Sequence, residues 1–173
     1  MKKNFLTFLL LGAAALLNAK SFSLQIVQRN TGGENVFDAS YIVEQAIMDY
    51  FFDRGTIVSN NSVIVSDNDA AKEKSQLHRS FVDAQEGGMN LFIKLFLNYS
   101  LENSTNPSAV LLSNIRDAQV EIVSVSDLKV LFEKKFVPKK VNSSNDNRGG
   151  VESFATDMAI EIQARLAKKE GAL

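Results

Sequence analysis

The chain has 173 residues, with 19 Lys and Arg against 20 Asp and Glu, one His and no Cys. That charge balance lacks the basic stripe a nucleic-acid binder or a polybasic membrane-surface protein needs. Zero Cys removes disulfides, Cys-based zinc sites, thiol catalysis and acylation of a lipoprotein cysteine together.

Lys2 and Lys3 precede an uncharged run of 13 residues, FLTFLLLGAAALL, that ends two residues before Ala19. A positive start, a short apolar run and a small residue at the junction define a secretory signal peptide. The run is too short for a membrane span of roughly 20 residues. Residues 1–19 are therefore expected to be the signal, and residues 20–173 a single mature domain of 154 residues. Lys2 and Lys3 leave with the signal, so the mature domain carries 17 basic against 20 acidic residues. It is expected to be exported, periplasmic or secreted, with neither lipid anchor nor transmembrane span.

Residues 21–29 alternate Phe22, Leu24 and Ile26 with polar neighbours and read as a strand. A turn-rich loop, 30–35, leads to a helix over 41–54 with Asp38 or Ser40 as its cap. Gly55 ends that helix. Residues 56–66 give a second strand broken at Asn60-Asn61, and Asp67 or Asp69 caps a helix that runs to about Gln85 before Gly87-Gly88. The clearest strand is 89–100, where Met89, Leu91, Ile93, Leu95, Leu97 and Tyr99 share one face. Residues 110–125 and 128–137 form a hairpin around Ser126-Asp127, and the last helix spans 151–168. The order β-α-β-α-β-β-β-α predicts an α+β sandwich, with a mostly antiparallel sheet and helices packed on one face. Its second face carries Phe92, Phe96, Leu131 and Val137 among charged residues.

Chemistry-bearing motifs are sparse. His78 stands mid-helix in QLHRS, and no G-x-S-x-G elbow accompanies it. Asp67-Asn68-Asp69 with Glu73 falls short of a calcium loop, which needs a Gly and a bidentate Glu at fixed spacing. Thr31-Gly32-Gly33-Glu34 lies between strand and helix but matches neither phosphate-binding fingerprint. Asn60, Asn98, Asn103 and Asn142 begin N-x-[ST] patterns, which matter only in a source that glycosylates exported proteins. No catalytic, metal or cofactor-binding residue is assigned, and no cofactor is expected.

The segment IVQRNTGGENVFDASYIVEQAIMDYFFDRGTIVSN resembles the opening of periplasmic domains in the lipoprotein activators of penicillin-binding proteins. Similar layouts occur in the N-terminal domain of TolB and in the curli-secretion lipoproteins. QEGGMNLFIKLFLNYS and AQVEIVSVSDLKVLFEKKF resemble their Gly-initiated strand and their hairpin, so the likeness covers most of residues 21–168. The lipobox Cys is missing, and Ser126-Asp127 replaces the Asp-x-x-Thr-Gly turn common in such domains. The resemblance implies a non-catalytic accessory or interaction domain of the bacterial envelope whose partner is another envelope protein. The candidate partner surface is Phe92, Phe96, Leu131 and Val137, with the polar loops 101–108 and 139–150. The alternative is a small secreted hydrolase or ligand-binding carrier, which would require an enclosed pocket with converging carboxylates.

Overall fold

The computed structural model describes residues 21–29, 35–66, 69–102, 104, 106–107 and 109–170. The signal segment 1–19, the loop residues Thr31 to Glu34, the pair Asp67-Asn68 and Asn103 lie outside the described residues.

Nine consecutive residues of alternating character make β1, Ser21–Arg29, and helix α1 follows as Asn35–Phe52. Two short strands come next, β2 (Ile57–Asn60) and β3 (Ile64–Val65), then α2 (Ala70–Glu86) and β4 (Leu91–Tyr99). A 3₁₀ turn at Leu112–Asn114 leads into β5 (Ile115–Ser124), which is followed by β6 (Val130–Phe136) and α3 (Arg148–Glu170). The sheet runs β2-β1-β4-β5-β6, with β3 also beside β1.

The α+β class is as expected, but two details of the layout differ. The sheet is evenly mixed: β1 is parallel to β2, β3 and β4, whereas β4-β5 and β5-β6 are antiparallel. Strands joined through an α-helix return parallel, whereas the connections after β4 and β5, which hold no α-helix, reverse the chain into antiparallel pairs. Nor do all the helices share a face. The crossover through α1 runs from β1 outward to β2, while the crossover through α2 returns over β1 to β4. Right-handed crossovers that travel in opposite directions place their helices on opposite faces.

The first face holds the main core. Phe22, Leu24 and Ile26 of β1 and Ile93, Leu95 and Leu97 of β4 are fully buried there, with Val120 and Ile122 of β5. Val43, Ile47 and Phe51 of α1 and Ala155, Met158 and Ile162 of α3 recur at helical spacing and close over them. Phe22 and Phe51 meet edge to face at 4.9 Å between ring centres.

Two boundaries differ from expectation, and one cap is as expected. Helix α1 begins at Asn35, so Asp38 lies in its first turn and Ser40 is buried inside it and caps nothing. Asp69 does cap α2, accepting from the amides of Ala71 and Lys72 at 3.0 Å each. β5 starts at Ile115, since the 3₁₀ turn takes up residues 112–114.

Candidate functional site

Helix α2 lies on the second face with a narrow apolar stripe, only Ser80 and Ala84 of it being buried. Polar and aromatic contacts hold it there. Ser80 donates to Gln25 Oε1 at 2.6 Å, and Gln25 in turn donates to the carbonyls of Ile26 and Ser62. Phe81 packs edge to face on Phe92 at 5.5 Å, over Ala84, Met89 and Val125. Arg29 donates to Glu73 from Nε at 3.2 Å while its guanidinium lies 4.3 Å from the centre of the Phe96 ring.

These contacts separate the four residues singled out in the sequence. Phe92 is 1% exposed, the centre of a small satellite core beneath α2. Phe96 is half-buried under Arg29. Leu131 sits at the other side of the sheet, where the β5-β6 register slips between Ile122 and Val123. Val137 follows the end of β6 and is half-exposed. The structure therefore brings Phe92 and Phe96 together on β4 and leaves Leu131 and Val137 apart, at the two ends of β6.

The open feature of this face is a groove of about 360 Å³ between α2 and the β5-β6 hairpin. Phe92 and Val123 form its floor, Leu77 and Phe81 one wall, and Leu128 and Val130 the other. Leu128 is 66% exposed and Val130 55%. Leu128 also holds a left-handed backbone, φ 59°, in the turn after Ser126-Asp127. That region favours Gly or Asn, and a Leu there carries strain. Neither period nor composition marks these wall residues. The available signal was a Leu at a turn position that calls for Gly.

Glu121, the carboxylate that lines the groove, is engaged. Lys94 pairs with Glu121. The Arg29 hydrogen bond holds Glu73 below the usual carboxylate range. Burial alone would raise Asp117, but hydrogen bonds from Asn98, Lys135 and Arg116 prevail and lower it. Lys129 beside Asp127 pulls that exposed carboxyl down to about 2. His78 lies on the exposed rim of the groove. Among the described residues no cluster of His, Asp or Glu could hold a metal, and no helix is long and apolar enough to cross a membrane. What the groove offers chemically is an apolar floor and walls beneath a polar rim.

No curated protein matches the chain. Among solved structures it is similar to the PelC dodecamer of Paraburkholderia phytofirmans, at 9% identity over 86% of this chain and 88% of that one, TM-score 0.46. It is similar to lipoprotein GNA1162 of Neisseria meningitidis, at 11% identity over 83% and 96%, TM-score 0.44. Protein XCC0632 of Xanthomonas campestris shares 13% identity over 88% of each chain, TM-score 0.40. One family model matches, over residues 21–167, and its description is "Uncharacterised protein". The chain belongs to that family.

Proposed function

We propose that the protein is an exported, non-catalytic accessory module of the bacterial envelope that binds another envelope protein through the groove between α2 and the β5-β6 hairpin. The observation that carries this reading is Leu128, strained in a left-handed turn and 66% exposed at the lip of an apolar groove. Backbone strain at an exposed apolar residue is a pointer to a functional site. The resemblance of residues 21–168 to periplasmic accessory domains and the signal-like residues 1–19 support the envelope setting. Of the surface read from the sequence, Phe92 serves as the floor of this groove, and Phe96 braces Arg29 beside it.

The test is crosslinking in the native envelope with Leu128→Asp and Val130→Asp variants. Both residues are exposed, so thermal stability is expected to change by no more than about 0.5 kcal/mol. Loss of a crosslinked partner at unchanged stability supports the reading. A wild-type chain that crosslinks to nothing, or a partner retained by both variants, sinks it.

A further inference from the structure

β6 is an outer strand of the sheet, so one side of its backbone has no neighbouring strand among the described residues. Such an edge is a template for another strand. Its sequence, Val-Leu-Phe-Glu-Lys-Lys-Phe, places Glu133 opposite Glu121 of β5, and Glu121 is already paired with Lys94. Glu133 is exposed, with no cationic partner among the described residues. Like charges directly opposite on two strands repel. On the other face Lys134 is held by Glu161 of α3. Along this seam β6 and α3 form a groove of about 630 Å³ near Phe136, Val137, Phe154 and Ile160, and Ile160 is 48% exposed.

We infer that β6 is a self-association edge, and that its occupant is β6 of a second copy of this chain, antiparallel about a two-fold axis through Lys134. A two-fold perpendicular to the sheet keeps each face on its own side, so opposed residues must share parity. Three such registers centre on the charged run. An axis through Glu133 opposes Glu133 to itself, and one through Lys135 opposes Lys135 to itself. The axis through Lys134 alone opposes Glu133 to Lys135 of the second copy, twice over, and Phe132 to Phe136, also twice; Lys135 also pairs with Asp117 of its own chain at 3.1 Å, its side chain 55% exposed and open to a second carboxylate. The two Lys134 side chains at the axis are each neutralised by their own Glu161. Because Lys134 marks the level of Glu161 on α3, the same axis places Asp157 of one α3 opposite Arg165 of the other. Charge complementarity thus selects one register from three. This edge is a different surface from the α2 groove, and either can operate without the other.

Two experiments on the purified chain decide the matter. Sedimentation velocity is expected to show a concentration-dependent dimer. Glu133→Lys would set a lysine against Lys135 of the second copy and weaken the dimer tenfold or more, by about two lost and two repulsive cross-strand pairs. Within one copy the same change relieves the Glu121 repulsion, so the monomer should melt no lower than wild type. Because the chain has no Cys, Lys134→Cys should form a disulfide-linked dimer on oxidation, and Glu133→Cys should not. Three results would each overturn the inference: a wild-type chain that stays monomeric at about 100 μM, a dimer indifferent to Glu133→Lys, or equal crosslinking at positions 133 and 134.

Discussion

Ser40 and Tyr99, 59 residues apart in the chain, hold their hydroxyls 2.9 Å from each other inside the main core. Ser40 donates its own hydrogen to Gln28 Oε1 at 2.8 Å, so Tyr99 must be the donor between the two hydroxyls. Burial pushes Tyr99 ionisation well above the usual tyrosine range, which keeps that donor in place. The three side chains tie α1 to β1 and β4 through a chain of satisfied polar groups. Ser40→Ala strands both the Tyr99 hydroxyl and Gln28 Oε1 and is expected to cost about 1–3 kcal/mol. Tyr99→Phe leaves Ser40 bonded to Gln28 and should cost less than Ser40→Ala. Urea midpoints of the two variants give the comparison, and an order of effects reversed from this would refute the assigned directions.

Glu44 gives the stability a slope with pH. It is 3% exposed in α1, and its Oε1 has no hydrogen-bond partner among the described residues. Burial raises its pKa above the ordinary 4.5, only partly offset by a hydrogen bond from Asn60. The folded state therefore binds this proton more tightly than the unfolded chain. The stabilising contribution is complete below pH of about 4.5 and declines as pH rises through the raised value. Glu44→Gln should accordingly be more stable than wild type above neutral pH, with the advantage shrinking toward pH of about 4. Glu73 and Asp117 are lowered and slope the opposite way on the acid side, so the quantity to follow is the difference between the two proteins. A difference that stays flat between about pH 4 and 8 would contradict it.

The α+β class was legible because two elements state their period openly. In β4 the alternation of Ile93, Leu95 and Leu97 with Phe92, Lys94 and Phe96 can only be a strand, and the α3 stripe of Val151, Ala155, Met158 and Ile162 can only be a helix. The same alternation puts Phe92 off the main core face, which is correct. Whether anything covers it depends on α2, whose contact rests on Ser80, Ala84 and the edge of Phe81. Too few apolar positions are involved for a period to show it. The parallel placement of β4 beside β1 is likewise set by crossover handedness, a property of the whole chain path. Leu131 and Val137 looked equivalent to Phe92 by composition, yet a register slip at Ile122/Val123 and the end of β6 send them to the sheet edge.

Gly150 admits no side chain. A Cβ there would lie 1.8 Å from the carbonyl oxygen of Asn145, so the 142–147 loop closes its backbone directly onto the start of α3. That loop is itself ordered by Asn142, whose Oδ1 accepts from the Ser144 amide, and by Asp146, which accepts from Ser113 Oγ. Gly150→Ala must displace backbone, and a cost of about 3 kcal/mol is expected. Gly149→Ala, whose nearest contact is the Asn147 side chain at 3.3 Å, should be much milder. Thermal melts of the pair would test this, and equal melting temperatures would refute the close approach.

Leu128 is where stability and binding should part company. Its left-handed backbone has φ 59°, a conformation that a β-carbon penalises by about 1–2 kcal/mol. Replacing it with Gly removes that penalty but frees the unfolded chain, so the net gain should be only about 0.5 kcal/mol. The neighbouring turn contacts do not depend on the Leu side chain. The Ser124 amide still donates to the Lys129 carbonyl, and Lys129 still pairs with Asp127. Leu128→Gly also strips the outer wall from the groove over Phe92. If that wall grips a partner, the variant melts at or above the wild-type temperature while its crosslinking yield falls. A Leu128 kept only for packing would do the reverse, lowering the melting temperature and leaving the crosslink intact.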